Sequence, residues 1–474
     1  MYPLIPLTLL ASILTAFASP EHGTEATTAE VAVHPDRPGI TIPADFMGLS
    51  YEKSALTEQH FRPDNGPLIN LHRNLGESVL RIGGNKVELC RWQPEQSFGS
   101  DSDKLIAVTP DQVTRFLAFV RAIGWNVIYG VNLAGNDPVN SAEEISHVSK
   151  SAGKSVVAFE VGNEPDHYYL PPKKTFRPQG YSYVQYRHEL DDALRVIIAR
   201  NPGIPLAGPA NTAGGNKEWF EPCLEDFKGK LALATSHFYP TTNKKPYPTP
   251  AKLLSPETSA KSAAMAETNM AVARKAGMPW RLAECNSTSL GGTAGVSDVC
   301  AAAVWGSDFL FDIAECGVAG INFHTILGTN AYTAIAYDKN TRLYSVRPLY
   351  HALLLFKDAG RGQVLPVETK SGANVTAHAT LGEDGKTRIV VINKDLTRDV
   401  TATILTGTDY HDGTVGRLQG KSPFEQEGVS YAGMTVTSGG NLTPPRTEAI
   451  KGRDGRFEIP LPACSAVVLT LGAN

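Results

Sequence analysis

Between residues 41 and 357 the chain alternates eight times between a short apolar run and a longer stretch patterned for a helix. Few architectures accept that rhythm. The runs are residues 46–51, 78–82, 126–132, 156–161, 205–208, 231–237, 281–284 and 320–324, with starts roughly 30 to 50 residues apart. Each interval holds one helix and its loops. The runs are apolar at successive positions, as in strands covered on both faces. Residues 111–123, 183–200, 260–275 and 298–314 carry apolar side chains at helical spacing, and Pro110-Asp111 and Ser297-Asp298 predict helix starts. The pattern predicts an α/β fold, a parallel sheet closed into a (β/α)8 TIM barrel. An open doubly wound sheet is disfavoured, because no Gly-x-Gly-x-x-Gly follows the first strand.

The flanks read differently. Beyond residue 357 the helical pattern ends, and residues 374–381, 387–393, 399–405, 431–437, 455–460 and 466–471 read as strands. Glu383-Asp384-Gly385 and Arg453-Asp454-Gly455 read as hairpin corners. Residues 358–474 are therefore expected to form an antiparallel β-sandwich. Residues 29–40 open with an alternating strand and no helix behind it, and are expected to pair into that sandwich. Of the 474 residues 42% are hydrophobic, enough for two cores.

Residues 1–18 resemble a secretory signal peptide: an apolar run from 7 to 17, then Ala16-Phe17-Ala18 before Ser19, although residues 1–6 carry no basic side chain. The expectation is a secreted protein, extracellular or periplasmic. No other apolar run is long enough for membrane insertion. A net charge of −4 offers no field for nucleic acid. Nothing implies an obligate protein partner. The six cysteines include no Cys-x-x-Cys, so neither a metal nor a cofactor is expected. Sequons stand at Asn286, Asn374 and Asn441, of which Asn286 adjoins a candidate catalytic group.

Barrel enzymes carry their chemistry at the C-terminal strand ends. Here those ends offer Glu52, Asn85, Asn163-Glu164, His237-Phe238-Tyr239, Glu284 and, after the last strand, Tyr332. Glu164 ends an apolar run in Gly162-Asn163-Glu164-Pro165, and Pro165 biases it towards an extended backbone. Alone it reads equally well as a solvated loop residue. Glu284 ends a second apolar run, Trp280-Arg281-Leu282-Ala283. Two carboxylates across one barrel mouth suit glycoside hydrolysis, where one protonates the leaving oxygen and the other attacks or activates water. Glu160 reads as a salt-bridged residue, His237 as a satisfied core histidine, Tyr239 as a possible packing aromatic, Trp305 as core, and Trp92 as a sugar platform or core.

These residues, with Leu80-Arg81-Ile82-Gly83-Gly84-Asn85, Gly291-Gly292, Val296-Ser297-Asp298 and Asn330-Ala331-Tyr332, resemble the retaining glycosidases of clan A. Within that clan the resemblance is to glycoside hydrolase family 79, the heparanase and β-glucuronidase family, over nearly the whole chain. It implies Glu164 as acid/base, Glu284 as nucleophile, Asn163 as a contact to the sugar 2-hydroxyl, and Tyr239 as the group orienting Glu284. Glu52 and Asn85 would bind hydroxyls. Backbone N–H groups around Ser289 and Gly291, with the Tyr332 hydroxyl, would meet a glucuronate carboxylate. Family members usually carry Tyr where this chain has Ser289, Leu290 intervenes before Gly291, and Thr325-Ile326-Leu327-Gly328 lacks a glycine run. These departures bear on the sugar more than on catalysis.

The expected activity is a retaining exo-β-glucuronidase acting on a glucuronic-acid-containing carbohydrate. A heparanase-like endo enzyme would want a cationic cleft for a sulfated polymer, and the acidic balance favours exo action, although Arg91, Lys244 and Lys245 could line a longer cleft. A clan A β-glycosidase for a neutral sugar is the alternative that Ser289 supports. A non-catalytic carbohydrate-binding barrel is disfavoured by the presence of both glutamates.

Overall fold

A computed structural model describes residues 27–94, 105–170, 176–328 and 330–472. The expected signal segment, residues 1–18, lies outside them. Eight strands form the barrel: β1 (Gly48–Glu52), β2 (Val79–Gly83), β3 (Asn126–Val131), β4 (Val156–Val161), β5 (Leu206–Asn211), β6 (Leu233–Phe238), β7 (Trp280–Cys285) and β8 (Gly320–His324). They pair in sequential order, all parallel, and β8 closes onto β1. One face of the strands packs with the surrounding helices in the main apolar core, while Val79, Ile128, Ala158, Ala207 and Leu233 on the alternate face form a separate small cluster. The helix Pro110–Ile123 starts where expected, capped by Thr109 and Gln112 in a reciprocal box, and stops at Gly124 in the left-handed region.

One helix start differs from expectation. The helix read from residue 298 begins at Cys300. Ser297 and Asp298 are engaged elsewhere: Ser297 Oγ bonds Ser287 Oγ, and Asp298 accepts from Gly295 N. The first helical N–H groups, of Cys300 and Ala301, donate to the Glu425 and Pro423 carbonyls of the C-terminal region. This cap is tertiary, so no local sequence signal could mark it.

The C-terminal region is a two-sheet sandwich. Thr27–Val33 lies inside one sheet, antiparallel to Val367–Ser371 and parallel to Val400–Leu405, which in turn pairs with Arg456–Leu461. The other sheet is built on Val375–Leu381, Thr387–Asn393, Ser465–Leu471 and Asp412–Gln419. The expected strand 431–437 is reduced to Ser430–Tyr431, while Asp412–Gln419, whose two glycines disguise it, pairs with Ser465–Leu471. Glu383-Asp384-Gly385 does turn a hairpin. Arg453-Asp454-Gly455 also turns a tight corner, Arg453 and Arg456 exchanging both backbone hydrogen bonds, and it carries the chain from Glu448–Lys451 in one sheet to Arg456–Leu461 in the other. In Thr387–Asn393, Ile389 and Val391 enter the sandwich core while Val390 and Ile392 join the barrel core. Burial on both faces makes that strand a continuous apolar run.

A buried ionic cluster pins the sandwich to the helix Cys300–Glu315. Lys394 Nζ donates to Asp308 Oδ2 at 2.6 Å, and His378 Nδ1 meets Glu315 Oε1 at 2.8 Å. Thr376 also donates to Asp308, and Asp312 lies alongside. Burial would lower the His378 pKa, but Glu315 and Asp308 raise it to about 10, while burial and then Asp308 push Asp312 up to about 7. The signs agree. His378 stabilises the fold fully below its unfolded pKa near 6.5, and this is lost as pH climbs to about 10. Asp312 destabilises the fold progressively as pH rises from its unfolded 3.8 to about 7. Thermal denaturation scanned against pH should show stability falling from mild acid to pH 10, and His378→Gln should flatten the alkaline part.

The six cysteines are free thiols. Among the described residues no helix is long and apolar enough to cross a membrane.

Candidate active site

At the C-terminal end of β4 the chain turns sharply into the barrel mouth. Gly162 sits at φ +84°, and a Cβ there would come within 2.9 Å of the Tyr168 hydroxyl. Glu164 does not take the extended backbone that Pro165 favours; it lies in the left-handed region at φ 47°, ψ 59°. Its N–H donates to the Ala210 carbonyl at the end of β5, which over-rides the local preference. A non-glycine residue held there is strained by about 1–3 kcal/mol, a cost concentrated at functional sites. The Glu164 carboxylate meets His237 Nδ1 at 3.1 Å and His167 Nδ1 at 3.7 Å.

Glu284, at the end of β7, is almost wholly buried. Tyr239 donates its hydroxyl to Oε1 at 2.9 Å and Arg81 Nη1 donates to Oε2 at 2.8 Å. Burial would raise its pKa, but the charges of His324 and Arg81 outweigh that and hold it at about 2. Burial raises the Tyr239 pKa, so that side chain remains a hydroxyl donor. One carboxylate oxygen of Glu164, one of Glu284 and a ring nitrogen of His237 all lie within 4.8 Å of one another.

Arg81 organises this end of the barrel. It is fully buried on β2, and its donors reach Glu160 Oε2 at 2.7 Å, Glu284, Ser50 Oγ at 3.0 Å, Asn163 Oδ1 at 2.8 Å and His237 Nε2 at 3.2 Å. A guanidinium can only donate, so His237 Nε2 accepts and Nδ1 carries the proton aimed at Glu164. The assignment follows from the hydrogen-bond network. Glu160 is the salt-bridged residue that its place in the strand implies.

Most of the expected site residues converge on one cavity of about 500 Å³, which Glu52, Asn85, Glu164, Tyr239, Glu284, Ser289, Gly291 and Tyr332 help to line. Glu52 accepts from Lys86 N at 2.7 Å and faces His324 Nε2 at 3.7 Å. Tyr332 stacks on Tyr239 with centroids 6.2 Å apart. Ser289 turns its hydroxyl to Thr242 Oγ1, and Leu290 stands exposed at the rim at φ +59°. Asn163 is the exception. It is completely buried and does not line the cavity, and Arg81 holds its side-chain oxygen. In the free protein it braces Arg81 rather than presenting an open sugar contact.

The reading of His237 as a core histidine needs correcting: it is buried, yet it touches Glu164 and lines the cavity. Trp92 is core, packed on His147, and Trp305 stacks on Phe309. Arg91 pairs with Asp137 outside the cavity, whereas Lys244 lines it. The Asn286 amide donates to the His324 and Tyr332 carbonyls, so this buried sequon is committed to the site's framework. Sequence reasoning does not single out Arg81, His324 or Glu88 as site residues. For Arg81 and His324 the available signal was a polar group inside an apolar strand or at its end, which burial forces to find partners, whereas Glu88 lies in a loop that offered no such signal. A separate cavity of about 540 Å³ lies along the barrel–sandwich seam by Asp298 and Arg347, away from both Glu164 and Glu284.

A closed parallel barrel with carboxylates at the ends of β4 and β7, facing one cavity, defines the site of a glycoside hydrolase. The sequence is 24% identical over 444 residues to a β-glucuronidase of Aspergillus niger, covering 82% of this chain and 80% of that protein. The fold matches a 4-O-α-L-rhamnosyl-β-D-glucuronidase from Fusarium oxysporum 12S at TM-score 0.78 and 19% identity, over 93% of this chain and 100% of that one. It also matches a GH51 arabinofuranosidase from Xanthomonas axonopodis pv. citri at TM-score 0.68 and 16% identity, over 94% and 100%. No protein-family model matches the chain. These relatives agree with the resemblance drawn from the motifs.

Proposed function

We propose that the protein is a retaining exo-β-glucuronidase that removes terminal β-linked glucuronic acid by double displacement. The observation that carries this is the pair Glu164 and Glu284, one oxygen of each carboxylate lying within 4.8 Å of the other across one cavity. Retaining enzymes place their carboxyl groups about 5–5.5 Å apart, and inverting ones about 6.5–9.5 Å. Glu284, ionised and oriented by Tyr239 and Arg81, attacks the anomeric carbon while Glu164 protonates the departing oxygen. Glu164 then takes a proton from water, which releases the sugar from Glu284. The His237 N–H steadies Glu164 in its ionised form between the two steps.

The glucuronate reading draws support from the names of the relatives and from the wall formed by Ser289, Gly291 and Tyr332. Neutral N–H and O–H donors bind a carboxylate strongly where water is excluded. A cavity of about 500 Å³ suits one sugar and part of its aglycone, which supports exo action. Export directed by residues 1–18 belongs to the same proposal. Ser289, set back against Thr242, favours a second reading in which a neutral glycoside is the substrate. A panel of p-nitrophenyl glycosides separates the two. The β-glucuronide should be cleaved with kcat/KM at least about 100-fold above the β-glucoside, β-xyloside and α-L-arabinofuranoside, the scale expected when a site built for a polar group rejects analogues lacking it. Preference for any neutral glycoside would overturn the glucuronate assignment.

A further inference from the structure

Glu88 lies in the loop that follows β2, and its buried carboxylate has no ion-pair partner among the described residues. Four neutral donors satisfy it. Oε1 accepts from Asn163 N at 2.8 Å and from the Tyr168 hydroxyl; Oε2 accepts from Leu133 N at 3.0 Å and Ala134 N at 2.9 Å. Its own carbonyl accepts from Asn132 Nδ2 at 3.1 Å. One residue thus ties together the loops that follow β2, β3 and β4.

Burying a carboxylate without a cation is costly, and charge-assisted bonds to several N–H groups offset the cost only while all of them are made. The segment it holds is the one that cannot hold itself. Gly162 and Glu164 both sit at positive φ, and the Asn163 N–H between them points at Glu88. We propose that Glu88 is a positioning residue for acid/base catalysis: its carboxylate fixes the strained Gly162–Glu164 turn and so sets the Glu164 carboxyl over the glycosidic oxygen. This rests on Glu164 being the acid/base. A glutamine at 88 has the same shape, but its NH2 group would face backbone N–H donors, and the turn would lose part of its anchor.

The test uses the full chain with Glu88→Gln and azide. With 2,4-dinitrophenyl β-glucuronide the leaving group departs without a proton, so a misplaced Glu164 chiefly slows hydrolysis of the glycosyl-enzyme. Azide needs no base. Its nitrogen forms a bond to the anomeric carbon as the C–O bond to Glu284 breaks, and the electron pair leaves with the carboxylate. Turnover of Glu88→Gln should rise at least about tenfold in azide, with β-glucuronosyl azide as product, while the wild type does not respond. On a poor leaving group such as p-methoxyphenyl, kcat/KM should fall by about 100-fold more than on dinitrophenyl. Equal losses on both substrates with no azide response would mark Glu88 as merely structural and overturn the proposal, as would wild-type kinetics. Glu164→Ala serves as the reference. If it fails to respond to azide, the acid/base assignment falls; if it responds and Glu88→Gln does not, only the Glu88 proposal falls. Should Glu88→Gln not fold, Tyr168→Phe removes one of the four donors and is read identically, with an azide gain of about twofold or more expected and no gain overturning the proposal.

Discussion

Replacing Glu284 with Gln is expected to lower kcat by on the order of 10⁵-fold while leaving the fold intact, because loss of a nucleophile removes the covalent path altogether. The glutamine can still accept from Tyr239 or Arg81, so the cavity keeps its shape. It cannot carry the negative charge that three neighbours are arranged to hold. A stability signature accompanies the kinetic one. The Glu284 pKa is depressed to about 2 from an unfolded value near 4.5, so its contribution is present above pH 4.5 and disappears as pH falls through about 2. Acid titration of the wild type should therefore show a loss of stability over that window, and the Glu284→Gln curve should be flatter there. Turnover near the wild-type rate would remove Glu284 from the mechanism.

Arg81→Met should have the largest structural effect of any single change near the site. Removing one partner of a buried ion pair leaves an uncompensated charge and costs about 3–5 kcal/mol. Here two carboxylates, of Glu160 and Glu284, lose the same guanidinium. Chemical denaturation should report a loss in that range, and glycosidase activity should be abolished. Adding Glu160→Gln should restore part of the stability, since it removes one of the two stranded charges, but none of the activity, since Glu284 remains unsupported. Arg81→Lys should rescue poorly, because an ammonium cannot span Ser50, Asn163, Glu160, Glu284 and His237 at once. Full recovery with lysine would mean that Arg81 acts only as a point charge.

The barrel and its two glutamates were legible because a covered apolar strand has no place for a carboxylate without a buried cation except at its open end. Glu164 and Glu284 lie where that logic puts them. Arg81 was less legible, as its partners come from β1, β4, β6 and β7 and the turn after β4, and only the closed barrel brings them together. His237 misled for the opposite reason: burial is the usual sign of a core histidine, and only the neighbouring Glu164 distinguishes this one. The backbone of Glu164 defied the bias set by Pro165 because a long-range bond to Ala210 decides it. In the sandwich, Asp412–Gln419 carries the glycines of a turn and becomes a strand through its partner Ser465–Leu471. Local pattern located the chemistry, and tertiary contacts determined how it is held.

The most direct test of retaining β-glucuronide hydrolysis is the anomeric configuration of the sugar first released, followed by proton NMR during rapid cleavage of p-nitrophenyl β-glucuronide by the wild-type protein. The paired carboxylates predict that the β-anomer of glucuronic acid accumulates first and that the α-anomer appears only by slow mutarotation. Initial release of the α-anomer would show inversion and contradict the assignment of Glu284 as nucleophile.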